Sequence, residues 1–256
     1  VTVTSQEKIP ADAFVNCDLI EEIMVENLGS IGDYSFYNCA ALSKFNSEEE
    51  GVCNIDDSCV SLGNYAFYKD ASFTKLIMSG SVTEIPSYCF AECSSLSEID
   101  GAENVARFNS YCFSNDALIS KFNGENSVLH FSEGCLGIGE GAFENLILIN
   151  EIDVPDSVTG IGNGAFKGCN SVVDVTIPFV GRTAETTTAT ERVFGWMFGM
   201  SSSEYTSSAA YPTGYNMSSN KNKVYQNHSA YYGSSSASYY RYYYFIPSTI
   251  RSVTVT

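Results

Sequence analysis

Nine cysteines, two histidines and 30 acidic side chains are the residues of this 256-residue chain with the means for covalent or metal chemistry. Their spacing argues against it. Nine is odd, so the cysteines do not all pair within the chain. Cys17, Cys39, Cys93 and Cys169 each stand three residues after a phenylalanine, and Asp70, Asp116 and Leu146 hold the same slot elsewhere. A position that accepts Cys, Asp and Leu is no disulfide framework. These thiols read as small, buried, reduced packing groups, as do Cys89 and Cys112, which replace Ala or Ser. His130 and His228 are far apart, and neither has a Cys, Asp and His set at zinc spacing. No residue pattern points to a Ser-His-Asp or Cys-His nucleophile. Asn54-Ile55-Asp56-Asp57, after Glu48-Glu49-Glu50, lacks the alternating oxygen ligands, central Gly and closing Glu of a calcium loop. The expectation is a chain with no catalytic residues, no metal and no cofactor.

The glycine strings Gly137-Ile138-Gly139-Glu140-Gly141 and Gly160-Ile161-Gly162-Asn163-Gly164 resemble nucleotide-binding loops only superficially. Such a loop joins a strand to a helix. Here the glycines precede an Ala-Phe pair and supply backbone freedom at a tight corner. A net charge of −17 disfavours nucleic acid, whose phosphates require a basic face. No apolar run is long enough to span a bilayer.

The elements that would position any site come from internal repetition. Ala13-Phe14-Val15-Asn16-Cys17 returns as Ser35-Phe36-Tyr37-Asn38-Cys39, Ala66-Phe67, Cys89-Phe90-Ala91-Glu92-Cys93, Cys112-Phe113, Ala142-Phe143 and Ala165-Phe166-Lys167-Gly168-Cys169. The phenylalanines step by 22, 31, 23, 23, 30 and 23 residues. Such periods mark a solenoid whose units stack on their neighbours. Each unit reads as an apolar strand, a turn, a second apolar pair and a compact turn. Two units carry additions, Asn46–Asn54 and Asn123–His130, each after a Ser-Lys-Phe-Asn tetrad. The 77-residue step from Phe36 to Phe113 points to duplication of a three-unit block.

The string Ile152-Asp153-Val154-Pro155-Asp156-Ser157-Val158-Thr159-Gly160-Ile161-Gly162-Asn163-Gly164-Ala165-Phe166-Lys167-Gly168-Cys169 resembles the BspA-type, or Treponema-type, leucine-rich repeat. The resemblance covers residues 1 to about 178. It implies a mainly β, curved solenoid with a parallel sheet on one face. It also implies a secreted or cell-surface protein, since the family occurs mainly in such proteins of gut and oral bacteria and in some parasitic protists.

The repeat grammar fixes the expected organisation. Residues 1–178 form the solenoid. Residues 179–247, rich in Ser, Thr and Tyr, form an irregular insertion. Residues 248–256 give the first strand of a further unit. The ends read as an excerpt from a longer array, with Val1-Thr2-Val3-Thr4 strand-like rather than a signal peptide. Period-2 alternation turns Glu22, Lys44, Lys75, Glu98, Lys121, Glu151 and Asp174 outward from the sheet. Rungs Glu22–Lys44, Lys75–Glu98, Lys121–Glu98 and Lys121–Glu151 are expected. With no aromatic residue in the outward columns, the candidate ligand-binding residues are those of the insertion: Trp196, Tyr231, Tyr232, Tyr239, Tyr240, Tyr242 and Tyr243. Tyrosine amid Ser and Gly gives rigid contact area with adaptable hydrogen bonding. An extracellular protein or glycan is the expected partner. A purely structural spacer is the alternative.

Overall fold

The computed structural model describes residues 2–3, 8–188, 191, 194–206, 224–228 and 239–256. They form a mainly β solenoid with no α-helix among the described residues. Seven strands run parallel in one sheet in chain order: Thr2–Val3, Glu22–Val25, Lys44–Phe45, Val52–Ile55, Lys75–Met78, Glu98–Asp100 and Lys121–Phe122. Val128–His130, Glu151–Asp153, Asp174–Ile177 and Ser252–Val255 continue the parallel stack as a second sheet. A shorter parallel ladder, Glu84–Ile85, Arg107–Phe108 and Gly137–Ile138, lines another side of the coil.

The compact turns close each unit by a third set of bonds. In the seven turns from Phe14 to Phe166 the residue two before the phenylalanine and the residue two after it are left-handed. The first set is Asp12, Tyr34, Tyr65, Tyr88, Tyr111, Gly141 and Gly164, at φ 57–63°. The second is Asn16, Asn38, Lys69, Glu92, Asn115, Asn145 and Gly168, at φ 57–80°. These conformations aim alternate N–H groups at the next unit. Phe36 N–H donates to Ala66 O at 2.8 Å, Phe67 to Cys89 O at 2.8 Å, and Phe90 to Cys112 O at 3.0 Å. Buried backbone polar groups are thereby satisfied without a helix or a regular strand.

Inside, Phe36, Phe67, Phe90, Phe113, Phe143 and Phe166 are buried and stack in one column that Phe14 opens, half-buried. Their ring centroids are 5.1–6.1 Å apart. That spacing is slightly wider than the ~4.8 Å of neighbouring strands.

Each sequence addition supplies a strand of its own. Lys44 lies opposite Val52, and Val52 opposite Lys75. Glu151 lies opposite Val128. The expected Lys121–Glu151 rung therefore does not form, because Val128–His130 intervenes. Lys44 pairs with Glu50 of its own addition, at 3.6 Å. The connections are short loops with left-handed residues. Asn123 and Gly124, at φ 48° and 81°, turn a tight hairpin between Lys121–Phe122 and Glu125–Asn126. Removing the eight residues 46–53 from the 31-residue step leaves 23, and removing the seven residues 123–129 from the 30-residue step also leaves 23. Each longer unit is an ordinary unit plus one rung.

The backbone ladder continues past residue 178. Ile161 N–H donates to Arg182 O, Gly164 N–H to Trp196 O and Phe166 N–H to Met197 O, each at 2.9 Å. The 3-10 segment Phe194–Phe198 thus takes the turn position, with Phe198 buried where earlier units place their phenylalanine. Beyond it, Met200–Thr206, Tyr239–Tyr244 and Val224–His228 make a three-stranded antiparallel sheet with Tyr239–Tyr244 central. The chain then returns to the solenoid as Ser252–Val255, parallel to Asp174–Ile177.

Candidate functional site

The cysteines are packing groups. All nine cysteines are free, and eight are buried. Cys39, Cys93 and Cys169 each donate S–H to the carbonyl of the preceding unit's phenylalanine, at 2.9, 3.2 and 3.2 Å. Burial pushes the thiols of Cys39 and Cys169 up to about 12, and those of Cys59 and Cys135 up to about 11. Such thiols are poor nucleophiles. Asp70 and Asp116, in the same slot, are fully buried, and burial raises both carboxyls well above the ordinary value. Among the described residues no group of three or more His, Cys, Asp or Glu could hold a metal ion. His130 lies 2.7 Å from Asp153 on the open sheet face.

That face is charge-paired. Lys75 Nζ lies 3.0 Å from Glu98 and 2.8 Å from Asp100, and Lys121 also pairs with Glu98. Hydrogen bonds from Lys121 and Lys75 hold the Glu98 carboxyl down at about 2. Glu22 stands opposite Lys44 in register. The face therefore offers few uncommitted groups.

An aromatic array stands on the turn face instead, outside the composition-rich insertion. Tyr34, Tyr65, Tyr88 and Tyr111 hold the left-handed position before four successive core phenylalanines. Their rings stack at 4.8, 4.5 and 4.9 Å with interplanar angles of 5–16°. Tyr37 and Tyr68, each just after its phenylalanine, stack beside them at 5.0 Å. Tyr34 is 39 % exposed and the other five are half-buried. Tyr34, Tyr37, Tyr65, Tyr68 and Tyr88 also contact across the two columns at 5.5–6.5 Å.

The ladder has a chemical gradient. Tyr68 Oη donates to Glu92 at 2.6 Å, and Tyr111 Oη donates to Glu140 at 2.7 Å. Burial first, and the carboxylate acceptor second, push both phenols above their ordinary value. Lys69 Nζ sits 5.3 Å over the Tyr68 ring and 3.4 Å from Glu92. Lys167 pairs with Glu144 at 2.6 Å. In the second column Ala91 and Ser114, both buried, follow Tyr37 and Tyr68, so the rings stop there. The first column stops at Gly141, where an added Cβ would lie 2.3 Å from Tyr111 Cε1.

A left-handed tyrosine is strained, at about 1–2 kcal/mol. Gly141 and Gly164 hold the same position without that strain. Four successive tyrosines thus occupy a position that glycine fills at lower cost. Neither the period-2 alternation of the strands nor the tyrosine-rich composition of the insertion reveals them. The signal was present as Tyr-x-Phe at Tyr34, Tyr65, Tyr88 and Tyr111, visible once the units are aligned on phenylalanine.

Of the residues expected to bind a ligand, Trp196 is half-buried with its indole N–H donated to Ile161 O at 2.7 Å. The backbone of Tyr239, Tyr240, Tyr242 and Tyr243 lies in the central insertion strand, whose side chains up to Tyr243 are outside the described residues. Tyr231 and Tyr232 lie outside the described residues altogether. Tyr244 is buried, its ring against Gly195.

The sequence matches the model of the BspA type leucine rich repeat region, in six copies, over residues 7–137 and 136–194. A search of curated proteins found no significant match. Among solved structures, the fold is similar to a leucine-rich repeat protein from Eubacterium ventriosum, with a TM-score of 0.51 at 19 % identity over 64 % of this chain and 43 % of that one. A leucine-rich repeat protein from Bacteroides ovatus gives a TM-score of 0.49 at 18 % identity, over 72 % and 58 %. This chain thus spans about half the length of either.

Proposed function

Because this chain belongs to the BspA-type leucine-rich repeat family, we propose that it is a non-catalytic recognition module, part of a longer chain on the cell surface or outside the cell. Its partner is an extracellular protein or a glycan. The observation that carries this reading is the tyrosine ladder, six half-exposed rings locked on a backbone framework. Interfaces favour Tyr because it offers large rigid area at low entropic cost. Trp196 and the insertion tyrosines Tyr231, Tyr232, Tyr239, Tyr240, Tyr242 and Tyr243 belong to the same proposal as a second contact region.

The test is biolayer interferometry of the chain against purified matrix proteins and glycans. Micromolar or tighter binding to at least one is expected. Replacing Tyr34, Tyr65, Tyr88 and Tyr111 by Asn, which tolerates the left-handed conformation, should weaken that binding at least tenfold and leave the circular dichroism unchanged. Deleting residues 207–238 reads the insertion's share. A chain that binds no member of the panel is a spacer, a reading supported by the uninterrupted backbone ladder.

A further inference from the structure

Resting on that recognition reading, we infer that the Tyr68–Tyr88–Tyr111 end of the ladder binds the cationic side chains of an extended basic protein segment. The site already contains a rehearsal of the contact. The Lys69 ammonium lies 5.3 Å over the Tyr68 ring while 3.4 Å from the Glu92 carboxylate. Ring and carboxylate together are the cradle that recognises an ammonium or guanidinium group. Lys69 is 44 % exposed at its side chain, so it fills this cradle from the solvent side and yields to competition.

Two units further on, a second phenol–carboxylate pairing stands. Tyr111 donates its phenol to Glu140 at 2.7 Å, and Tyr88 stacks on Tyr111 at 4.9 Å. Where the second column would continue beyond Tyr68, only buried Ala91 and Ser114 stand. A guanidinium that displaces Lys69 would take its place over the Tyr68 ring beside the Glu92 carboxylate. The ring faces within the first column are spent on one another at 4.5–4.9 Å, which leaves a sugar ring no internal tyrosine face to lie on. A net charge of −17 steers a basic partner toward the chain.

The experiment is fluorescence anisotropy with a labelled Arg-Ser dodecapeptide, and with the same peptide carrying neutral citrulline in place of arginine. The arginine peptide should bind at least tenfold more tightly. The Glu92→Gln/Glu140→Gln variant should lose about tenfold, whereas Glu151→Gln/Asp174→Asn, which removes the same charge from the sheet face, should lose less than twofold. Lys69→Gln, which empties the cradle, should tighten binding severalfold, and Lys44→Gln should not. Equal binding of the citrulline peptide overturns the assignment. So does equal weakening by both acid pairs, which would mean general attraction to an acidic protein. Displacement of the peptide by a neutral glucose oligosaccharide would make the ladder a glycan site and also overturn it. If the basic peptide fails while the matrix panel still binds, this inference falls and the recognition reading stands. If both fail, both fall.

Discussion

Asp116 sits fully buried in a slot that Leu146 or Cys169 fills elsewhere, and Asp70 does the same. Neither residue type nor period announces what the fold does to these carboxyls. Burial raises both well above the ordinary value, so the neutral acid is the form the interior accepts. Their contribution to stability is full below the ordinary carboxyl value near ~3.9 and is lost as pH rises through the raised folded value. Replacing Asp70 by Cys and Asp116 by Leu should therefore stabilise the chain. The gain should grow by up to ~1.4 kcal/mol per pH unit for each group over that window. Chemical denaturation from pH 4 to 8 measures it, and a gap independent of pH would refute the assignment. The phenylalanine column makes a second demand at this scale. Phe113 is buried between Phe90 and Phe143 at 5.6 and 5.8 Å, so Phe113→Ala should cost ~3–5 kcal/mol in the same assay.

At the scale of the element, the compact turn is the unit that repeats, and its two left-handed positions decide what it carries. Gly141 and Gly124 are both left-handed, at φ 58° and 81°, but their surroundings differ. A Cβ at Gly124 meets nothing within 4 Å, whereas one at Gly141 overlaps the Tyr111 ring. Alanine at either should cost about 1–2 kcal/mol from backbone strain. Gly141→Ala should lose more and should also change the near-ultraviolet dichroism of the tyrosine stack, which Gly124→Ala should leave intact. The hairpin at Asn123-Gly124 was readable from its dipeptide, yet the strand it sets up was not. Two residues such as Val128-Leu129 carry no period long enough to declare a strand. The turn at Phe194–Phe198 hides for a similar reason. It lies in a stretch whose composition assigns it to the insertion, while its carbonyls accept the solenoid's bonds.

At the scale of the molecule, the two additions change the balance between the sides of the coil. Seven phenylalanines span the turn side from Phe14 to Phe166, at 5.1–6.1 Å per step. Nine parallel strands span the sheet side from Glu22–Val25 to Asp174–Ile177, at ~4.8 Å per step. Without the additions the sheet would be the shorter side. With them it gains two steps of ~4.8 Å and becomes the longer side, which reverses the curve the repeat alone would give. Deleting residues 46–53 and 123–129 together leaves every unit near 23 residues. That variant should fold and unfold cooperatively. Small-angle scattering should find it more curved toward its sheet. Unchanged curvature would mean that the extra rungs are absorbed locally.

The repeat, the strand-and-turn composition, the buried phenylalanine column and the packing role of the thiols were set by the sequence alone, because a period in the chain becomes neighbourhood in a solenoid. Equivalent residues must stack, so column arguments from one dimension hold in three. What the tertiary structure decided lies where the period is broken or read at another offset. Val52–Ile55 and Val128–His130 became rungs because short loops returned them to the sheet edge. The Lys121–Glu151 rung gave way to the inserted strand. The tyrosines at Tyr34, Tyr65, Tyr88 and Tyr111 became one surface because each left-handed turn holds its ring at the same place in the unit, and only the stacking of units brings those rings to 4.5–4.9 Å.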